Sequence, residues 1–391
     1  MKRVLFGIAV VLASLSATAQ AQRAPIKIGA MIPLTGGGAT VGESAQIAVE
    51  LAVRNINAAG GIAGRPVQLV IADYQTEATA GVSEVKRLVH QERIEIMVGP
   101  TYSQVTLAVL PILNEAKIAT VNVSGSERLT PEVGPYAFSM LANADAQSKL
   151  MVDHAIRSMK IQSAAILTDV GAQAKTAVEA MKAELAARKV KLAGAQEYQY
   201  RQTDMTPQLL TLRRANPDVM LLFTSNGEDT GNMLKSQNDL GWPVRVVGSF
   251  GATFSGPAMK IAGKDAYKNL VAVNYKGFSY CPQEPASQGF QQWVDQVRAF
   301  KPAAFDRQPL SYLSLWYDAV YVMKAAVEGT GGKTDGPSIA AWLEANSASF
   351  RGINSGLTAS KSTHFLVGPE ALTIVYPDRQ RPGGLLERVG C

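Results

Sequence analysis

The feature that most constrains this chain is a repeated alternation of short apolar runs with amphipathic segments of helical period. Residues 26–33 (IKIGAMIP), 67–73 and 94–98 are apolar runs of strand length. Between and after them, residues 42–59, 79–91 and the segment leading to Lys117 repeat apolar positions every three or four residues, Ile47, Leu51 and Ile56 among them. Strands that are apolar on both faces, joined by helices, predict a parallel sheet covered on both sides. Near Leu141 the rhythm restarts. Helices are expected over 145–159, 175–187, 205–215 and 231–240, and strands over 163–168, 191–198, 218–223 and 244–248. These are two successive βα arrays of similar size with no detectable sequence repeat between them. A chain of 391 residues exceeds one ordinary core and suits two domains.

After residue 270 the pattern is mixed. A strand is expected over 270–274, a loop from Gly277, helices over 288–300, 310–328 and 338–346, and late strands over 365–367 and 372–376. The rules for two-lobed folds return the helices after Gly277 to the first array.

Within this frame, residues 94–130 stand out. The strand at 94–98 runs into Gly99-Pro100-Thr101-Tyr102-Ser103, and the strand at 118–123 runs into Ser124-Gly125-Ser126. Two strands thus deliver hydroxyl-rich turns at their carboxyl ends, where open α/β sheets bind ligands. The helix that starts at Ser103 offers unpaired N–H groups and a positive dipole end, which suit an anion. Ser103 is equally read as an N-cap, and capping is compatible with ligand contact. Pro111 falls inside this helix and predicts a break there.

The N-terminus reads as a cleaved secretory signal over residues 1–21: Lys2-Arg3, an apolar run to Leu15, then small residues with cleavage options after Ala19 or Ala21. The run is shorter than a membrane span needs. No cysteine lies near the cleavage site, which argues against a lipid anchor. Net charge is +6 with charges interspersed, which does not suggest nucleic acid. Cys281 and Cys391 would enter an oxidising compartment; a disulfide and two free thiols both remain open, because spacing does not decide between them. His90, His154 and His364 have no metal-ligand spacing. Gly36-Gly37-Gly38 lacks phosphate-loop spacing, and no GxSxG elbow is present. Metal, cofactor and enzymatic roles are therefore not expected.

Taken together, Pro33-Leu34-Thr35-Gly36, Gly60-Gly61-Ile62-Ala63-Gly64-Arg65-Pro66, Asp73, Val98-Gly99-Pro100, Thr203-Asp204-Met205 and Asn216-Pro217-Asp218 resemble the type I periplasmic binding proteins, in particular the leucine/isoleucine/valine-binding branch that serves ABC importers. The resemblance covers nearly the whole chain after the signal. It implies an α/β fold of two Rossmann-like lobes joined by three hinge crossovers around a ligand cleft. The first lobe would hold residues 24–142 and 277–358, the second 143–276 and 359–391. It also implies a soluble, monomeric periplasmic protein that hands a small ligand to a membrane permease.

Carried over by position, Ser103 matches the serine that holds the ligand carboxylate, and Ser124 and Ser126 match the second loop of that site. Gln173 falls where amino-acid binders carry one tyrosine, and Asn226 or Gly227 where they carry another. Phe250 falls where they carry the glutamate that pairs with the ligand's α-ammonium. An ammonium would find no counter-ion there unless Glu228 or Asp229 replaced it, whereas Phe250 and Tyr102 offer aromatic faces. The sequence therefore predicts a small carboxylate without an amine, an aromatic acid in the first instance. A branched-chain amino-acid binder and a soluble sensor that presents its ligand to a membrane receptor are the alternatives.

Overall fold

In the computed structural model, which describes residues 23–391 except 285–287, 355 and 382, the chain forms two sheets flanked by helices. The expected signal at residues 1–21 lies outside the described residues. The first half-chain supplies β1 (Ile26–Ile32), α1 (Ala39–Ala58), β2 (Val67–Asp73), α2 (Ala78–Lys86), β3 (Ile96–Val98), α3 (Ser103–Glu115), β4 (Thr120–Asn122) and β5 (Ala137–Ser139). Its five strands form a parallel sheet in the order β2-β1-β3-β4-β5.

The second array follows with α4 (Ala144–Met159), β6 (Ser163–Asp169), α5 (Ala172–Ala187), β7 (Lys191–Tyr198), α6 (Thr206–Arg214), β8 (Val219–Phe223), α7 (Gly227–Asp239), β9 (Arg245–Gly248), α8 (Ser255–Ala262), β10 (Leu270–Tyr275) and β11 (Ser279–Tyr280). The chain then forms α9 (Gln288–Phe300), α10 (Leu310–Gly329), α11 (Gly336–Asn346), β12 (Leu372–Gln380) and β13 (Leu386–Arg388). The second sheet has the order β11-β13-β12-β10-β9-β8-β6-β7. It is parallel from β10 to β7, while β12 joins β10 antiparallel.

The burial pattern explains the uninterrupted apolar runs. In β6, Ala164 and Ile166 enter one core cluster while Ala165 and Leu167 enter another; in β8, Val219, Leu221 and Phe223 face the first cluster and Met220 and Leu222 the second. Side chains alternate across a strand, so a strand covered on both faces needs apolar residues at every position.

α10 packs on α1, β3 and β4, and α9 also touches α1, so the helices after β11 lie on the first sheet. Two expected lobe boundaries need correction. β11 pairs with β13 in the second sheet, so the crossing from the second lobe comes after Tyr280 rather than at 277. The Ser139 N–H donates to the His364 carbonyl and the Leu366 N–H to the Ser139 carbonyl, so the return to the second sheet comes after this segment rather than at 359. Residues 365–367 accordingly make a bridge to the first sheet and not a strand of their own. The break expected at Pro111 is also absent. α3 runs through it, and Pro111 sits on the exposed face, where solvent can take up the carbonyl that loses its partner.

Cys281 and Cys391 are joined in a disulfide, which ties the last residue to the segment after β11.

Several of the family motifs organise loops. One Asp73 carboxylate oxygen accepts from the Leu34 and Thr35 N–H groups, and the other from the Thr35 hydroxyl, fixing the loop that leads into α1. Asp218 accepts from the Gln162 and Ser163 N–H groups, which hold its carboxyl below the usual range. Asp204 accepts from the Thr206 N–H at the start of α6.

Candidate functional site in the interlobe cleft

The cleft begins at the carboxyl end of β3. Gly99 has φ +83°, and a Cβ there would lie 2.4 Å from the Met31 carbonyl oxygen and 2.6 Å from the Trp316 ring, so only glycine fits. Thr101 then clamps the turn. Its hydroxyl donates to the Val123 carbonyl (2.9 Å) and accepts from the Tyr312 hydroxyl (2.8 Å), and its N–H donates to the Tyr74 hydroxyl (3.2 Å). Tyr102 is consequently the N-cap residue and Ser103 the first residue of α3, one place later than the capping role expected of it. The Ser103 hydroxyl accepts from the Ser126 N–H at 3.2 Å, which leaves its own proton free to donate.

The second lobe answers with the carboxyl ends of four strands. β6 ends at Asp169, which is fully buried; one carboxylate oxygen accepts from the Gly171 N–H and the other from the Ser225 N–H, both at 2.8 Å. Burial pushes the Asp169 carboxyl up, against the pull of these two donors. Gln173 lies in the first turn of α5 and reaches across to the first lobe, where a Cβ on Gly125 would meet its Nε2 at 2.2 Å. Tyr200 follows β7, and Thr224 and Ser225 follow β8. Phe250 follows β9, its N–H donating to Gln147 Oε1 (3.0 Å).

Between these elements lies a cleft of about 500 Å³ of atom-free space, its mouth to solvent included. Of the residues the sequence offers as ligand contacts, Tyr102, Ser103, Gln173 and Phe250 line it. Ser124, Ser126 and Asn226 do not. The Ser124 hydroxyl is spent inside the first lobe, 2.6 Å from the Thr106 hydroxyl and 3.0 Å from the Thr101 carbonyl. Ser126 acts through its N–H on Ser103, and its hydroxyl accepts from the Arg128 N–H. Asn226 caps α7, accepting from the Asp229 N–H and donating to the Asp229 carboxylate.

Sequence reasoning missed Tyr200, Phe254, Tyr312, Gln147 and Gln104, which also line the cleft. Its walls are rich in rings: Phe250 meets Phe254 edge to face at 5.0 Å, Phe254 meets Tyr312 at 5.3 Å, and Tyr102 meets Tyr200 at 5.5 Å. The Tyr102 hydroxyl is buried and has no hydrogen-bond partner.

Among the described residues, no carboxylate, ammonium or guanidinium lines this pocket, whereas the wider opening beside it, which shares Gln104 and Tyr200, is lined by charged residues of both lobes, Glu127, Arg128, Lys175 and Arg201 among them. Glu228 accepts from the Thr40 hydroxyl (2.7 Å), linking the two lobes outside it. Asp229 accepts from the Arg201 N–H, and burial pushes its carboxyl up to about 7. Neither stands where it could pair with a ligand's ammonium in the cleft. The described residues also contain no cluster of His, Cys, Asp and Glu able to hold a metal.

A family profile described as "Periplasmic binding protein" matches residues 25–376. The chain belongs to the periplasmic binding protein family. A Brucella melitensis protein named Leu/Ile/Val-binding protein homolog 3 is 28% identical over 329 residues, covering 82% of this chain and 84% of the relative. Among solved structures, a branched-chain amino acid transporter substrate-binding protein from Streptococcus pneumoniae in complex with isoleucine superposes with a TM-score of 0.77 at 20% identity, over 93% of this chain and 97% of that one. A solute-binding protein of an ABC transporter from Rhodopseudomonas palustris in complex with 3,4-dihydroxybenzoic acid gives the same TM-score and identity, over 93% and 95%. The two neighbours are equally similar to this periplasmic binding protein and hold different ligands. The likeness therefore establishes the fold and leaves the choice of ligand to the chemistry of the cleft.

Proposed function

We propose that this periplasmic binding protein captures a small carboxylate without an α-amino group, an aromatic acid of the benzoate or phenylpropanoid type, and presents it as a monomer to the membrane permease of an ABC importer. The observation that carries this reading is a cleft walled by aromatic rings and neutral polar groups, with Phe250 in the wall and no carboxylate. An amino acid's ammonium would be desolvated there without a counter-ion, which costs about 3–5 kcal/mol when one member of a buried pair is missing. A ring suits the same walls, since aromatic pairing adds about 0.5–1.5 kcal/mol beyond burial.

In this reading the ligand carboxylate accepts from the Ser103 hydroxyl and from the first N–H groups of α3, and the helix dipole adds to their pull. Phe250 and Gln173 hold the rest of the ligand from the second lobe. The protein performs no chemistry. Closure is driven by the ligand's higher affinity for the closed state, the only source of free energy available to it.

Isothermal titration of benzoate, 4-hydroxybenzoate, cinnamate and leucine tests the proposal. At least one aromatic acid is expected to bind and to be recovered unaltered, while leucine gives no heat. Leucine binding with the aromatic acids inert would refute it in favour of a branched-chain amino-acid binder.

A further inference from the structure

The second-lobe wall contains a phenol that its own fold does not satisfy. The Tyr200 hydroxyl is buried and makes no hydrogen bond of acceptable geometry, although the side chains of Ser225, Gln104 and Asp169 surround it. A Cβ on Gly171 would touch this hydroxyl at 2.3 Å and Asp169 Oδ1 at 2.9 Å, so the phenol is wedged over the turn that Asp169 organises. Gly171, Ser225 and Gln104 all line the cleft, which places the Tyr200 hydroxyl in its wall. A buried polar group without a partner is costly, and native proteins rarely leave one unless a ligand or water completes it. Asp169 is fully buried, and each of its oxygens already holds one backbone donor. With a carboxylate on that side, a small turn of the phenol gives its proton to Asp169, and what the fold then leaves unmatched is the acceptor side of the oxygen, which lies in the cleft wall.

From this arrangement we infer that Tyr200 is a specificity-determining residue that accepts a hydrogen bond from a hydroxyl on the ligand's ring, so that the preferred ligand is a hydroxylated aromatic acid. This inference rests on the aromatic-acid reading above and narrows it. A ligand hydroxyl would complete the acceptor side of the phenol, whereas an unsubstituted ring would leave those lone pairs unmatched, and sites built to bond a hydroxyl discriminate against the analogue that lacks one.

The test is a cycle of two ligands and two proteins, read by calorimetry, with thermal melts confirming that Tyr200→Phe is folded. For the natural protein, the best of the 2-, 3- and 4-hydroxybenzoates is expected to bind at least about tenfold more tightly than benzoate, as one hydrogen bond to a buried partner provides. In Tyr200→Phe the ratio of the two dissociation constants is expected to collapse toward one. The inference is overturned if benzoate binds as tightly as every hydroxybenzoate, or if the ratio survives in Tyr200→Phe; in both cases the aromatic-acid reading stands. If no benzoate binds and leucine does, both fall together.

Discussion

Replacing Ser103 by alanine separates the two serine turns of the first lobe. The Ser103 hydroxyl lines the cleft, accepts from the buried Ser126 N–H, and keeps its proton for a ligand. In the proposed complex that proton goes to a carboxylate, and a hydrogen bond to a charged group contributes about 1.5–3 kcal/mol. Ser103→Ala is therefore expected to weaken binding of the preferred aromatic acid about ten- to hundredfold. It also strands the Ser126 N–H, so stability of the ligand-free protein should fall by about 1–3 kcal/mol. Ser124→Ala is the control. Its hydroxyl is bonded wholly within the first lobe, to Thr106 and the Thr101 carbonyl, so it should lower stability and leave the affinity of the folded fraction nearly unchanged. Calorimetry and urea unfolding on both variants give the four numbers. An unchanged affinity in Ser103→Ala, or an equal loss in Ser124→Ala, would refute the assignment of the carboxylate to the α3 terminus.

Opening the Cys281–Cys391 disulfide, by reduction or as Cys391→Ser, releases a closure of 110 residues and should cost about 2–5 kcal/mol in denaturant unfolding; an unchanged midpoint would show that the C-terminal strands hold without it. Asp229 and Asp318, the latter a carboxyl of α10 that accepts from the Ile353 and Asn354 N–H groups, are buried and pushed from 3.8 up to about 7 in the folded protein, so the folded state keeps protons that the unfolded chain has already released. Their contribution to stability is fully present below about pH 4, is lost as pH rises to about 7, and is constant above; unfolding at pH 5 and pH 7.5 should show this fall, and Asp318→Asn should flatten it. Gly125→Ala places a methyl 2.2 Å from Gln173 Nε2, so Gln173 must swing out of the closed cleft, and ligand affinity should fall with little change in the melting of the ligand-free protein.

The fold was legible because the inner strands of both sheets are buried on both faces, which forces the apolar runs of β1, β6 and β8. The strands that escaped notice are short and lie at the edges or beside turns. β5 has three residues, and β11 and β13 have two and three, too few for a period to show. Half of the site was legible for a similar reason: Ser103, Gln173 and Phe250 follow strands, where ligands are expected. Tyr200 also follows a strand, and the same rule could have found it. Tyr312 and Gln147 lie on the buried faces of their helices, beside core residues such as Met151 and Trp316, so nothing local distinguishes them from packing. Ser124 and Asn226 lie outside the pocket because a turn hydroxyl or amide has two uses, and here partners within their own lobes take them up, Thr106 and the Thr101 carbonyl for Ser124 and Asp229 for Asn226.

A pocket whose lining, among the described residues, carries no formal charge has a consequence for how a ligand is let go. A grip made of hydroxyls, amides and backbone dipoles decays with distance far faster than one between opposite charges, and little of it is felt through water. Any long-range attraction of the cargo would come from the charged residues at the neighbouring opening, Arg128, Lys175 and Arg201 among them, and not from the grip itself. Were a partner to pry the lobes apart by a few ångströms, almost nothing would remain to hold the proposed ligand back. The protein would then behave less like a sponge that must be wrung out than like a latch that holds only while shut.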